Sequence, residues 1–208
     1  MSAATQPEAM TFEAAIDLTQ TWLDQWAAGA WTPEQFVAAV APLVTTPAGA
    51  RGFFVVYLTD DRPLVDHPPE GLVAALAQAP AIVLDLLVKN LAMSAAMAIT
   101  HDRAGDAAMA ERSRHTSQRS GDLLNHLDRY FTDTSGAAEV AGSTGAEPAP
   151  SVTALLDQLR SSITDQTGPF VAFLERWGYD EVQRRAILRA IEHRGSEPGS
   201  ARAISNPA

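Results

Sequence analysis

One segment of this chain, Phe53-Phe54-Val55-Val56-Tyr57-Leu58-Thr59, has the β-branched and aromatic content of a buried strand, and no second stretch of comparable strength exists to pair with it. A lone buried strand leaves its amides and carbonyls without partners, at a cost of about 1–3 kcal/mol each. A helix satisfies the same groups within the segment. The preceding Thr46-Pro47 repeats the earlier Thr32-Pro33, and at both places Thr can cap a helix whose first position suits Pro. The segment is therefore expected to wind into a largely buried helix, and the chain to be an all-α helical bundle.

The remaining periodicity supports that class. Apolar residues recur at three and four residues from Phe12 to Ala27 and again through Phe36, Val37, Val40 and Leu43. Asp60 to Pro69 has no period and reads as a loop, and a short helix from Glu70 to Ala79 follows. From Ala81 to His101 the chain is apolar nearly all round, as a central bundle helix is. Gly105 and Asp106 then supply a helix stop and the next N-cap, which predicts an αα-hairpin with a second helix from Ala107 to about Tyr130. Ala92, Ala95, Ala96 and Ala98 on one helix, and Met109, Ser113, Thr116, Ser117, Ser120, Leu124 and Leu127 on the other, form the expected seam. Its small side chains should let the backbones approach closely.

These signals divide the chain. Residues 1–10 read as a flexible N-terminus, 11–131 as the helical bundle and 132–150, TDTSGAAEVAGSTGAEPAP, as a disordered linker. Residues 151–194 read as a small helical appendage capped by Ser151 and Asp180, and 195–208 as a disordered tail. Such an appendage is too small to stand alone without a staple, so it should dock on the bundle or on a partner. The bundle should fold without residues 132–208.

Composition excludes several chemistries. There is no cysteine, so disulfides, thiolate metal centres and cysteine nucleophiles are ruled out. The N-terminus carries acids and no cationic region before an apolar run, and a cytoplasmic location is expected. The longest apolar stretch, Ala79 to Ile99, is interrupted by Asp85, Lys89 and Asn90, so no membrane span is expected. The net charge is −10, with acids well outnumbering bases through residue 131, which makes nucleic acid an unfavourable partner. No phosphate-binding loop, dinucleotide fingerprint or nucleophile elbow is present, and no cofactor is called for.

The candidate sites follow from what is left. Asn90, Ser94 and His101 make a polar seam on an otherwise apolar helix, flanked by Leu87 and Met97. Such groups either bond to a neighbouring helix and fix its register or meet a ligand. Asp85 and Lys89 have the spacing of a helix ion pair. Glu111, His115 and Asp122 form half of a metal-site pattern whose other half is missing, and Asp60, Asp61, Asp66 and His67 lack the order of a calcium loop. No metal site is expected. The expected function is that of a non-catalytic interaction or assembly protein, which captures a protein partner through Phe170, Leu174, Trp177, Tyr179, Ile187 and Ile191 of its tethered C-terminal helices. A homo-oligomer is compatible with this. The alternative is a small-ligand-binding protein or enzyme with a pocket at the seam, lined by Asn90, Ser94 and His101 with Phe53, Phe54 and Tyr57.

Overall fold

The computed structural model describes residues 10–140 and 151–194 of the chain. Among the described residues there is no strand. The helices are α1 (Phe12–Ala27), α2 (Pro33–Leu43), α3 (Pro47–Thr59), α4 (Leu72–Leu76), α5 (Pro80–Arg103), α6 (Ala107–Val140), α7 (Val152–Thr164), α8 (Val171–Trp177) and α9 (Glu181–Glu192). A short 3-10 turn, Pro63–Val65, lies in the loop after α3.

The strand-like segment is helical, and local chemistry explains how it starts. Thr46 accepts from the Gly49 amide and Pro47 occupies the first turn, while Thr32 and Gln35 form a reciprocal capping box on α2. Inside α3 only Val55 and Thr59 of the segment reach solvent; Phe53, Phe54, Val56, Tyr57 and Leu58 are buried. Their rings continue into Phe36 and Trp26, with centroids 5.0 Å apart for Phe53 and Tyr57 and 5.0 Å for Trp26 and Phe36. Gly52 permits the crossing of α3 over α1, because a Cβ there would lie 2.4 Å from the Ala15 Cβ and 2.8 Å from the Phe12 carbonyl oxygen.

The α5–α6 hairpin is the spine. Gly105 turns it at φ 75°, and Asp106 accepts from the Met109 amide at the start of α6. Close approach along the seam is visible in the Ser117 hydroxyl, which donates to the Leu91 carbonyl across the hairpin at 3.0 Å. α3 packs on both helices of the hairpin and α4 packs on α6. α9 lies along α5, and α7 contacts both α5 and α6. Leu156, Leu159, Ile163, Phe170, Leu174, Tyr179, Ile187 and Ile191 belong to the same hydrophobic core as Phe36, Phe53, Leu87 and Leu124. α5 is long and apolar enough to cross a membrane by length and composition, and half of that stretch is buried inside the protein.

Two boundaries differ from expectation. α4 is only five residues, because the chain enters it through Gly71 at φ 86°. α6 does not stop near Tyr130 but continues to Val140, so residues 132–140 of the expected linker are helical. No proline interrupts that run, and each further residue adds a backbone bond to an existing helix. Thr132 and Thr134 also turn their hydroxyls back onto the carbonyls of Asp128 and Tyr130. Residues 141–150 of that linker, the N-terminal nine residues and the tail from 195 lie outside the described residues.

Candidate functional site

Asn90, Ser94, Met97 and His101 recur at three- and four-residue spacing on α5, so one face of an apolar helix carries a polar line. This face does not close against a neighbour. It forms the floor of a cleft of about 440 Å³, walled by Phe54 and Leu58 of α3 and by Met109, Arg112, Ser113 and Thr116 of α6. Met93 and Met97 complete an apolar lining beside the polar line. All three polar side chains are half-buried, and among the described residues none is hydrogen-bonded to a protein group. The side-chain hydrogen bonds of α5 fall at Lys89 with Asp85, at Thr100, at Asp102 and at Arg103 instead. A register-fixing role would have required partners on α3 or α6.

One wall of the cleft is shared with a larger, more polar basin of about 880 Å³, and the shared residues are His115 and Arg119. Arg119 is buried and fixed on three sides. Its Nε donates to Asp66 Oδ1 at 2.7 Å, and its Nη1 donates to the carbonyls of Leu58 at 3.1 Å and Asp60 at 2.6 Å. The last two carbonyls end α3, so this side chain from α6 caps the helix that bears the aromatic cluster. His115 Nε2 lies 3.1 Å from the same Asp66 oxygen. Burial pushes the Asp66 carboxyl up, but hydrogen bonding and charge from Arg119 and His115 outweigh it and hold the group below the ordinary range.

The basin is lined further by Tyr57, His67, Asp122, His126 and Arg129. On α6 the residues 115, 119, 122, 126 and 129 therefore form one titratable stripe. Among the described residues the Tyr57 hydroxyl is buried with no hydrogen-bond partner, and burial pushes its phenol up. Burial likewise raises the Asp122 carboxyl, with His126 opposing the shift and Asp66 adding to it. An imidazole held by a carboxylate beside a cleft can accept a proton, and a carboxyl raised by burial can donate one.

The positions read from the sequence divide clearly. Asn90, Ser94, His101 and Phe54 line the cleft, Tyr57 lines the basin, and Phe53 lines neither because it is fully buried among aromatic rings. Met109, assigned to the seam with α5, is 38% exposed and lines the cleft instead. The expected partner surface needs correction. Phe170, Leu174, Tyr179, Ile187 and Ile191 are buried in the common core, and of the six only Trp177 is at the surface, 50% exposed. An apolar helix face docks where apolar surface is nearest, and here that is α5, α6 and α7.

The acidic loop is likewise committed. Asp60 binds Arg62, which also reaches Asp24 at 2.6 Å; Asp61 pairs with Arg112, and Asp66 with Arg119 and His115. Glu111 pairs with Arg114 rather than His115. Among the described residues no three His, Cys, Asp or Glu side chains converge as a metal cage would require. A model of one protein family, described as Uncharacterised conserved protein UCP020893, matches residues 11–138 and 147–194. No curated protein and no solved structure matches the chain.

Proposed function

The chain belongs to the family described as Uncharacterised conserved protein UCP020893, whose match includes every residue of the cleft, and from that premise we propose that it is a small-ligand-binding protein. The observation that carries this reading is the line of Asn90, Ser94 and His101, half-buried without protein partners on the floor of an open cleft. Polar groups in that position stay open to the cleft and are not claimed by the fold, so they are free to bond to a molecule that enters it. The ligand is a small amphipathic molecule. Its apolar body rests on Phe54, Met93, Met97 and Met109, and its polar groups bond to the line on α5.

Native mass spectrometry of the protein purified from its own host, compared with a variant carrying Asn90→Leu and Ser94→Leu, tests this. The wild type should carry a small molecule that the filled-in variant lacks, while both retain the same helical circular dichroism. An identical complement of bound molecules in the two proteins would remove the reading.

A second reading keeps protein interaction in the form that burial permits. Trp177 ends α8 half-exposed, and a large aromatic side chain on the surface is the residue type that anchors interfaces. Replacing it by Ala should reduce co-purification of a partner without loss of folding; an unchanged set of co-purified proteins would speak against it.

A further inference from the structure

A second open groove, of about 490 Å³, lies where α9 passes α5 and α6, separate from the cleft on the α3 side. Its floor is made of small residues from all three helices: Ala95 and Ala98, Ser117 and Gly121, Ala186 and Ala190. Small side chains at a helix crossing ordinarily let the backbones close until no space remains. Here they face a space that stays open. Gly121 does allow the chain just past α9 to come close, since a Cβ there would lie 3.2 Å from the Arg194 Cβ, yet no described residue fills the groove beside that contact.

The charged lining of the groove is cationic only. Arg114, Arg189, His193 and Arg194 surround it, and among the described residues no carboxylate lines it, in a chain whose net charge is −10. Arg114 is already paired with Asp102 and Glu111. The others are not so occupied. Among the described residues Arg194 Nη1 is buried without a hydrogen-bond partner, and a buried charged donor left unmade is among the costlier defects a fold can carry. His193 Nδ1 donates to the Arg189 carbonyl at 2.8 Å, which leaves its Nε2 as the ring atom still available.

We propose that this groove binds a single-chain anionic amphiphile, an acyl chain whose carboxylate is held by Arg189, His193 and Arg194 while the chain lies on the alanine floor. A planar guanidinium pairs with a carboxylate through parallel hydrogen bonds, and a methyl-lined floor offers an alkyl chain contact without side-chain rearrangement.

The test uses the full chain and sodium dodecanoate below its micelle concentration, followed by isothermal titration, with dodecanol, dodecyl phosphate and acetate as comparison ligands. Dodecanoate should bind saturably at one site, dodecanol at least about tenfold more weakly, and acetate without measurable affinity. Ala190→Leu should abolish binding by filling the groove. Arg189→Gln, at an exposed position that leaves the packing intact, should weaken it by about tenfold, and Asp17→Asn, at an exposed position of α1 that lines neither cleft, should leave it unchanged. Equal affinity for dodecanoate and dodecanol, tighter binding of dodecyl phosphate, or indifference to both Ala190→Leu and Arg189→Gln would overturn the proposal.

Discussion

Arg119 shows how much of the candidate site hangs on one side chain. It caps the end of α3, neutralises Asp66 and forms the partition between cleft and basin. Arg119→Met keeps most of the volume but leaves the two carbonyls and a partly buried carboxylate without their donor, and should cost about 2–3 kcal/mol in urea denaturation at pH 7. The pH dependence has a definite sign. Asp66 is held below its unfolded value, so the stability it contributes is present above about pH 4 and is lost as pH falls through the folded value. The variant should therefore lose less stability than the wild type on acidification over that range. Asp122 behaves oppositely: its folded carboxyl is raised, the folded state holds the proton longer, and stability falls as pH rises from the unfolded value to the folded one. Asp122→Asn should make the protein more stable at pH 7 by no more than about 1 kcal/mol, given partial solvent screening, and the gain should vanish in acid. None of this network could be read from sequence alone. His115 and Asp122 were visible at helical spacing, but Asp66 reaches α6 from 53 positions away from Arg119, and only the fold brings them together.

Helix starts were legible because their chemistry is local. Thr32, Thr46, Ser151 and Asp180 all cap the helices assigned to them, and the unpaired strand-like segment became α3 for the reason the backbone demands. Helix ends were less so, since a run of small residues without proline, such as that after Tyr130, neither requires nor forbids continuation. The polar line on α5 was legible for what it contains and not for what faces it; whether Asn90 meets a helix or a void is decided by α3, α5 and α6 together. Crossing geometry was illegible as well, and Gly52 is the case that can be tested. In a helix interior Gly is ordinarily about 1 kcal/mol worse than Ala, so Gly52→Ala would be stabilising if α3 stood alone. Against the backbone of α1 it should instead destabilise by about 3 kcal/mol, because the new methyl meets the Phe12 carbonyl and the Ala15 side chain. Thermal unfolding that shows a higher midpoint would mean that α1 and α3 can separate freely.

The C-terminal helices join the rest of the molecule through a joint made at the last turns of α5. Asp180 caps α9 and pairs with Arg103, while the Gln183 amide donates to the Thr100 hydroxyl at 3.0 Å. The Arg103 hydrogen bond and the α9 amides hold Asp180 down to about 2, so this attachment persists well into acid. Beneath it the apolar residues of α7 and α9 complete one core with the bundle instead of forming a satellite. The consequence for truncation reverses the sequence-based expectation of a bundle that folds by itself. Each fully buried Leu or Ile contributes roughly 1.5–3 kcal/mol, so removing Leu156, Leu159, Ile163, Ile187 and Ile191 forfeits on the order of 10 kcal/mol, comparable with the whole stability of a domain. It also bares the faces of α5 and α6 that these residues cover. A chain ending at Val140 should show a broadened thermal transition, bind a hydrophobic dye and aggregate, while addition of a separate 151–194 fragment should restore part of the cooperativity. If the truncated chain unfolds as sharply and at the same temperature as the full one, the shared core does not hold the molecule together, and α7 to α9 are free to serve a partner.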